Sequence, residues 1–256
     1  MEMNVEVGII VWAIIITMCI LYRKHKEGKK ALRKLFQKQK EKQKLIEEYQ
    51  QTEYYQCTHL PYDEMLDDAG RYGEYMLYIE LKDCVSQDTK FLFNAYIPKH
   101  ANDTTEIDMI MINENGVFVF EVKNYSGWIS GRNNSKQWCE SFKNGEQYFF
   151  SNPIIQNKHH VDALQKIINN VEYHPMVVFS DDAGLVNVDA DTDVIVMSEV
   201  LDWISTQQSS NSLTEQQINE IYEKLYPYTQ VSQEVKDRHV YQIKQYKDRK
   251  QHIEFQ

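Results

Sequence analysis

The sequence predicts a mixed α/β domain, a sheet with helices on its faces, set behind an apolar N-terminal run and a polar helical stretch. Three observations predict it. From Gly70 to Tyr226 the chain runs helix, three or four strands able to pair antiparallel, helix, two strands, helix. Asn115-Gly116, between two apolar runs, marks a hairpin. A chain of 256 residues, 42% hydrophobic and 12% aromatic, can bury one sizeable core.

Residues 7–22, VGIIVWAIIITMCILY, are apolar apart from Gly8 and Thr17. At ~1.5 Å per residue the run spans roughly 24 Å; Val5 and a snorkelling Arg23 or Lys24 complete a ~30 Å hydrocarbon core. A cleaved signal peptide calls for lysines ahead of the run and an A-x-A site after it. Here Glu2 and Glu6 stand ahead and no such site follows. Residues 1–22 are therefore expected to be one transmembrane anchor. Residues 23–44 hold eleven Lys and Arg against Glu27 and Glu41. Positive flanks stay inside, so the N-terminus is expected outside and the main domain in the cytoplasm, its basic stretch against anionic headgroups.

Residues 23–56 read as a polar helical stalk. A heptad frame through Leu32, Leu35, Ile46 and Tyr49 also puts Gln39, Lys42, Glu53 and Gln56 in the seam, too polar for a sustained coiled coil. Removing the two glutamates of residues 1–22 and the nine-positive excess of residues 23–44 from a total of −10 leaves −17 for residues 45–256. So acidic a domain is a poor generic binder of nucleic acid, and contact with DNA must come from local geometry and metal ions. Cys19, Cys57, Cys84 and Cys139 lie far apart and form no CxxC pair, against a zinc knuckle or disulfide framework and for a reducing compartment.

The folded domain is expected over 57–226, with a charged helical tail over 227–256. Gly70–Leu81 reads as a helix and Lys90–Ile97 as a strand. Ile107–Ile112 and Val117–Lys123 flank Asn113-Glu114-Asn115-Gly116, and Trp128–Ser130 begins a further strand. Ser151-Asn152-Pro153 opens a helix to about Asn170, with a polar cap and proline in the first turn. Met176–Ser180 and Asp193–Met197 are buried-type strands; Glu199–Thr206 and Thr214–Tyr226 are helices.

The hairpin gathers charge. Strand side chains alternate faces, so Glu121 and Lys123 share one. A two-residue Asn115-Gly116 turn pairs Asp108 with Lys123; a four-residue Asn113–Gly116 loop sets Asp108 opposite Glu121. Both put Asp108 on that face. Two carboxylates about 5 Å apart repel by roughly 3 kcal/mol at an effective dielectric near 20, and a divalent cation offsets this directly. Such an ion polarises a phosphate oxygen, while Lys123 beside it steers a water or stabilises phosphoryl charge. Glu-x-Lys alone is weak evidence: it occurs at Glu27, Glu80, Glu121 and Glu234, and only the third ends an apolar strand.

Further residues fall in order: Gly73-Glu74, the Ile107-Asp108 hairpin, Glu121-Val122-Lys123-Asn124, Gly127-Trp128-Ile129-Ser130-Gly131, Trp138, and Asn152-Pro153-x-x-Gln156-x-x-x-His160. On these, residues from about Gly70 to Leu164 resemble the nuclease-related domain, a branch of the PD-(D/E)XK nuclease superfamily. The resemblance implies a restriction-endonuclease-like fold. It implies Glu74, Asp108, Glu121 and Lys123 as the site, the three carboxylates on a Mg²⁺ or Mn²⁺ ion. Ile107 stands where the superfamily motif has proline. Gln156 and His160 share a helix face at i, i+4, as in the glutamine motif of RecB-like nucleases. Gln156 is then a site residue, and His160 a structural or phosphate-contacting one. Trp128 and Trp138 read as core.

Two functions stay open. One is a metal-dependent nuclease at the inner membrane face, hydrolysing DNA that arrives at the envelope; the other is a non-enzymatic binding or scaffold module on the same fold. The sequence leaves the oligomeric state undetermined.

Overall fold

The computed structural model describes residues 3–99, 103–190, 194–209 and 211–254, with side chains from 23 to 245 except at His25 and Ala31. The chain divides into two compact units, Met1–Gln51 and Thr52–Gln256. The first is one helix, α1 (Met3–Gln50). From residue 23 its side chains are mostly exposed, as a solvated spacer requires. The expected anchor, 7–22, takes helical backbone in α1, and its side chains lie outside the described residues. Among the described residues no helix is long and apolar enough to cross a membrane.

The second unit opens with α2 (Glu53–Thr58), α3 (Tyr62–Asp67) and α4 (Ala69–Lys82). Thr52 and Asp68 cap α2 and α4, their side chains accepting the N–H of Tyr55 and Arg71. The expected boundary near Cys57 falls inside α2, where Tyr54 is fully buried, so the compact unit begins earlier, at Thr52.

The strands, in chain order, are β1 (Lys90–Pro98), β2 (Thr104–Asn113), β3 (Gly116–Lys123), β4 (Trp128–Arg132), β5 (Gln137–Ser141), β6 (Gln147–Ser151), β7 (Tyr173–Phe179), β8 (Gly184–Asp189) and β9 (Val194–Val196). The helices α5 (Pro153–Leu164), α6 (Val200–Thr206), α7 (Glu215–Leu225) and α8 (Gln233–Glu254) complete the set. The expected single sheet is two mixed sheets. The main one runs β1-β2-β3-β7-β9, antiparallel through β3 and parallel beyond it. A smaller sheet runs β6-β5-β4-β8, parallel only between β4 and β8. Its strands β5, β6 and β8 are short and partly polar, and β6 is mostly exposed, so they carry no apolar alternation to read.

Helices α5 and α7 pack Ala163, Leu164, Ile218 and Ile221 against one face of the main sheet. On the other face Tyr54 of α2 and Tyr78 of α4 meet Phe93 edge-on. The tail is helical, as expected, and docks: Gln242 donates to Asp103, and His239 Nδ1 lies 3.1 Å from Thr104 Oγ1 at the start of β2.

The hairpin turns on Glu114-Asn115, with Ile112 opposite Val117 and Asn113 opposite Gly116. Gly116 has φ +132°, and a Cβ there would meet the Glu172 carbonyl oxygen at 2.4 Å, so only glycine fits. This is the register that carries Asp108 opposite Glu121, one step beyond the last pair, Met109 with Phe120.

The alternation of β1 and β2 slips at one rung. Leu92, Ala95 and Ile97 on β1, and Ile107, Ile110 and Ile112 on β2, all join the cluster under α5 and α7. Strict alternation cannot put 92 with 95, or 107 with 110, on one face. Between them lie Asn94, at a left-handed φ of +51°, and Asp108. Pairing is kept on either side, Phe93 with Met109 and Ala95 with Ile107. The slip aims both polar side chains away from the core.

Candidate active site

At the slipped rung β2 and β3 part. The Val122 N–H donates to Asp108 Oδ2 at 2.8 Å, so a carboxylate stands where a strand carbonyl would. Asp108 is half-buried, and its Oδ1 makes no hydrogen bond among the described residues. Near enough for its charge to act on Asp108, Glu121 is fully buried at the end of the apolar run of β3. Its Oε1 takes the Lys123 ammonium and its Oε2 lies 2.8 Å from His160 Nε2.

Helix α5 delivers His160. Asn152 caps that helix, accepting from Ile154 and Ile155, and ties it to the β4–β5 turn by donating to the carbonyls of Arg132, Asn133 and Ser135. Asn157, also buried, donates to the carbonyls of Val119 and Met176 at 2.9 Å, fixing α5 across β3 and β7. His160 Nδ1 lies 2.8 Å from Thr105 Oγ1. A carboxylate only accepts, so Nε2–H donates to Glu121, and in the neutral ring Nδ1 accepts from the Thr105 hydroxyl. Both nitrogens are spent inside the protein, so His160 orients Glu121 and has none free for a phosphate. Gln156 is half-buried one turn earlier, and its side chain makes no hydrogen bond among the described residues.

Helix α4 delivers Glu74. A Cβ on Gly73 would come within 2.9 Å of Asn124 Cβ, and Asn124 donates to the Ala69 carbonyl at 2.8 Å, so α4 lies close against the end of β3. Both Glu74 oxygens are taken. Arg71 donates to each, Asn94 donates at 2.6 Å and Tyr54 at 3.4 Å. Arg71 also reaches Glu106 at 2.8 Å, which accepts from Tyr96 at 2.9 Å. Glu74 thus sits in an ion network beside the Asp108–Glu121 pair.

Burial, then the charges of Glu121 and Glu74, push the Asp108 carboxyl well above its ordinary range. Burial acts upward on Glu121 too, but Lys123 and His160 outweigh it and hold Glu121 below its ordinary value. Burial alone would lower Lys123, yet Glu121 and Asp108 raise it. The resting state is therefore an ionised Glu121, an ammonium on Lys123 and a strongly proton-seeking Asp108. Glu74, desolvated above all, is raised to about 7 against the pull of Arg71.

Sequence reading missed Thr105, Asn94, Arg71 and Asn157. Thr105 carries a faint signal, since it shares parity with Ile107. Asn94 carries none, because a left-handed residue inside KFLFNAYI reads as a plain strand position.

Residues 69–180 match the model of the nuclease-related domain. An uncharacterized protein of Bacillus anthracis is 28% identical over 174 residues, covering 67% of this chain and 82% of that relative. No solved structure matches significantly. Glu74, Asp108, Glu121, Lys123, Gln156 and His160 all fall within the matched span. The span that carries every candidate residue is thus the span that is similar to the nuclease-related domain.

Proposed function

We propose that the Thr52–Gln256 unit is a metal-dependent phosphodiesterase that hydrolyses DNA, held at the cytoplasmic face of a membrane by residues 7–22. One observation carries the reading. The charges of Asp108 and Glu121 act on each other where β2 and β3 part, and Asp108 keeps an oxygen without a partner among the described residues and a carboxyl driven toward protonation. A cation satisfies both.

The donor set suits Mg²⁺ or Mn²⁺. Magnesium takes one or two carboxylates and fills its remaining positions with water and substrate phosphate. Among the described residues no group of three or more His, Cys, Asp or Glu could hold a metal, as a closed zinc site would require. Asp108 and Glu121 would hold the ion, with Glu74 behind them as fixed charge. When bound, it polarises a phosphoryl oxygen and lowers the pKa of a coordinated water.

The protein's own residues do the rest. Lys123, kept protonated by two carboxylates, cannot accept a proton at neutral pH; it donates to the attacking water or to a phosphoryl oxygen gaining charge. His160 keeps Glu121 ionised and aimed, and Thr105 keeps His160 in its tautomer. Gln156, free to turn, is placed to contact substrate from the same helix.

The −17 charge over residues 45–256 favours the second reading, a binding or scaffold module without turnover. The full chain, incubated with plasmid and linear DNA in Mg²⁺, Mn²⁺ or EDTA, decides. Nicking that needs the metal supports the nuclease; intact DNA in all three, with the metal bound, removes it.

A further inference from the structure

The smaller sheet turns aromatic side chains outward. Trp128 on β4 is 49% exposed and Phe149 on β6 is 65% exposed, whereas Trp138 on the opposite side is 1% exposed, stacked on Phe179. Ser130 pairs with Cys139 and Cys139 with Phe149, so these residues lie across one face, and Trp128 shares the parity of Ser130. Strand spacing and rise put the two aromatic positions roughly 12 Å apart. The indole of Trp128 lies on Gly184 of β8: a Cβ there would meet its Cδ1 at 2.8 Å. The pyrrole side of the indole is seated there, and about half of the residue stays in water. A large aromatic left half in water is an unusual use of apolar surface.

The surroundings favour nucleic acid over another apolar surface. Within 126–151, Arg132, Lys136 and Lys143 are exposed. Of the two acids there, Glu140 is buried, accepting the N–H groups of Ser126 and Gly127, and only Glu146 is exposed. This stretch sets three exposed basic groups against one exposed acid in a domain of −17, while Asp181, Asp182 and Asp189 are exposed at and beside β8, so the basic side of the sheet is the side of β5 and β6, where Phe149 lies. It is also continuous with the candidate site. Glu140 pins the turn that leads from Lys123 to Trp128, and Tyr125 in that turn packs edge-on against Phe150 of β6. Trp128 follows Lys123 by five positions in the chain.

Resting on the nuclease reading, we infer that the outer face of the smaller sheet is a stacking platform for unpaired bases, which makes single-stranded DNA, or a frayed duplex end, the substrate class of this site. Stacking suits an acidic domain, because every base has a π-face and the contact needs little net positive charge. Duplex DNA offers no free base face to Trp128 or Phe149.

The test is fluorescence anisotropy of a labelled oligodeoxythymidylate, against a blunt duplex of equal length, on the full chain in detergent with EDTA. The single strand binds more tightly, and quenches tryptophan fluorescence. Trp128→Ala and Phe149→Ala each weaken it by roughly 5- to 100-fold, while Trp128→Phe keeps most of it. Both side chains are exposed, so the melting temperature holds in each variant, and a variant that melts early is replaced by Arg132→Ala with Lys143→Ala. Affinity that ignores these substitutions, or equal affinity for the duplex, overturns the platform. So does a change from dimer to monomer in the aromatic variants by light scattering, which would make the face a contact between copies. A chain that binds through Trp128 and Phe149 but cleaves nothing with Mg²⁺ leaves the platform standing and removes the nuclease. A nuclease indifferent to both substitutions does the reverse.

Discussion

Two carboxylate pairs share strand β2 and its neighbours, each with one permanent cation and one histidine. Glu74 and Glu106 have Arg71 and His239; Asp108 and Glu121 have Lys123 and His160. The inventories match and the outcomes differ. Arg71 spreads its fork over both carboxylates, and Asn94, Tyr54 and Tyr96 fill much of what is left. Lys123, a point charge, binds Glu121 and leaves an Asp108 oxygen without a partner among the described residues. A guanidinium closes a carboxylate pair; an ammonium leaves it able to take a second cation.

The largest expected effect is on turnover. Lys123→Ala lowers the DNA cleavage rate by about 10²–10³ while metal and DNA affinity hold, the scale of losing one electrostatic stabiliser. Lys123→Arg rescues poorly, because a planar fork cannot replace a compact ammonium. Single-turnover rates beside binding isotherms check both, and a rate unmoved by Lys123→Ala would put the chemistry elsewhere.

Stability separates the pairs next. Arg71→Met strands Glu74 and Glu106 and destabilises the domain by about 3 kcal/mol in chemical denaturation. Asp108→Asn, tested without metal, removes a repelled carboxylate and is neutral or slightly stabilising. If the two variants unfold alike, the distinction between closed and open pairs is wrong.

The pH dependence follows from the signs. Asp108 and Glu74 are carboxyls raised in the fold, the latter to about 7. What they contribute is full below the ordinary carboxylate pKa of ~4 and is lost as pH rises through their folded values. Glu121 is lowered, so its contribution stands at neutral pH and is lost only in acid. The metal-free chain should therefore melt at lower temperature at pH 8 than at pH 6, and Glu74→Gln should flatten that slope. The smallest effect is expected from Thr105→Val, which frees His160 Nδ1 and costs cleavage about tenfold with little change in melting temperature.

Much of this was legible in the sequence, for physical reasons. Strong apolar periodicity located α4, β1, β2, β3 and β7, and the hairpin register that sets Ile112 opposite Val117 was one of the two the turn allowed, though the parity argument drawn from it for Asp108 meets the slip between Ile107 and Ile110. The helix at α5 was placed by Asn152-Pro153 but runs only to Leu164, where turns replace it. What stayed hidden depends on deviations from periodicity. The slip at Asn94 and Asp108, the outward aromatics of the smaller sheet, and Arg71 closing on Glu74 are all tertiary choices made by single residues. Trp128, read as core, is half exposed because its seat is one neighbouring glycine, Gly184.

An ammonium in one pair and a guanidinium in the other should leave the Asp108–Glu121 pair open to a divalent cation and the Glu74–Glu106 pair closed to it. Titrating Mn²⁺ into the full chain at pH 8, with the paramagnetic resonance of free Mn²⁺ as readout, tests it most directly. The parent chain should hold Mn²⁺ at a site that Asp108→Asn and Glu121→Gln remove and Glu106→Gln keeps. Mn²⁺ that stays free with the parent chain, or binding that survives Asp108→Asn, would contradict it.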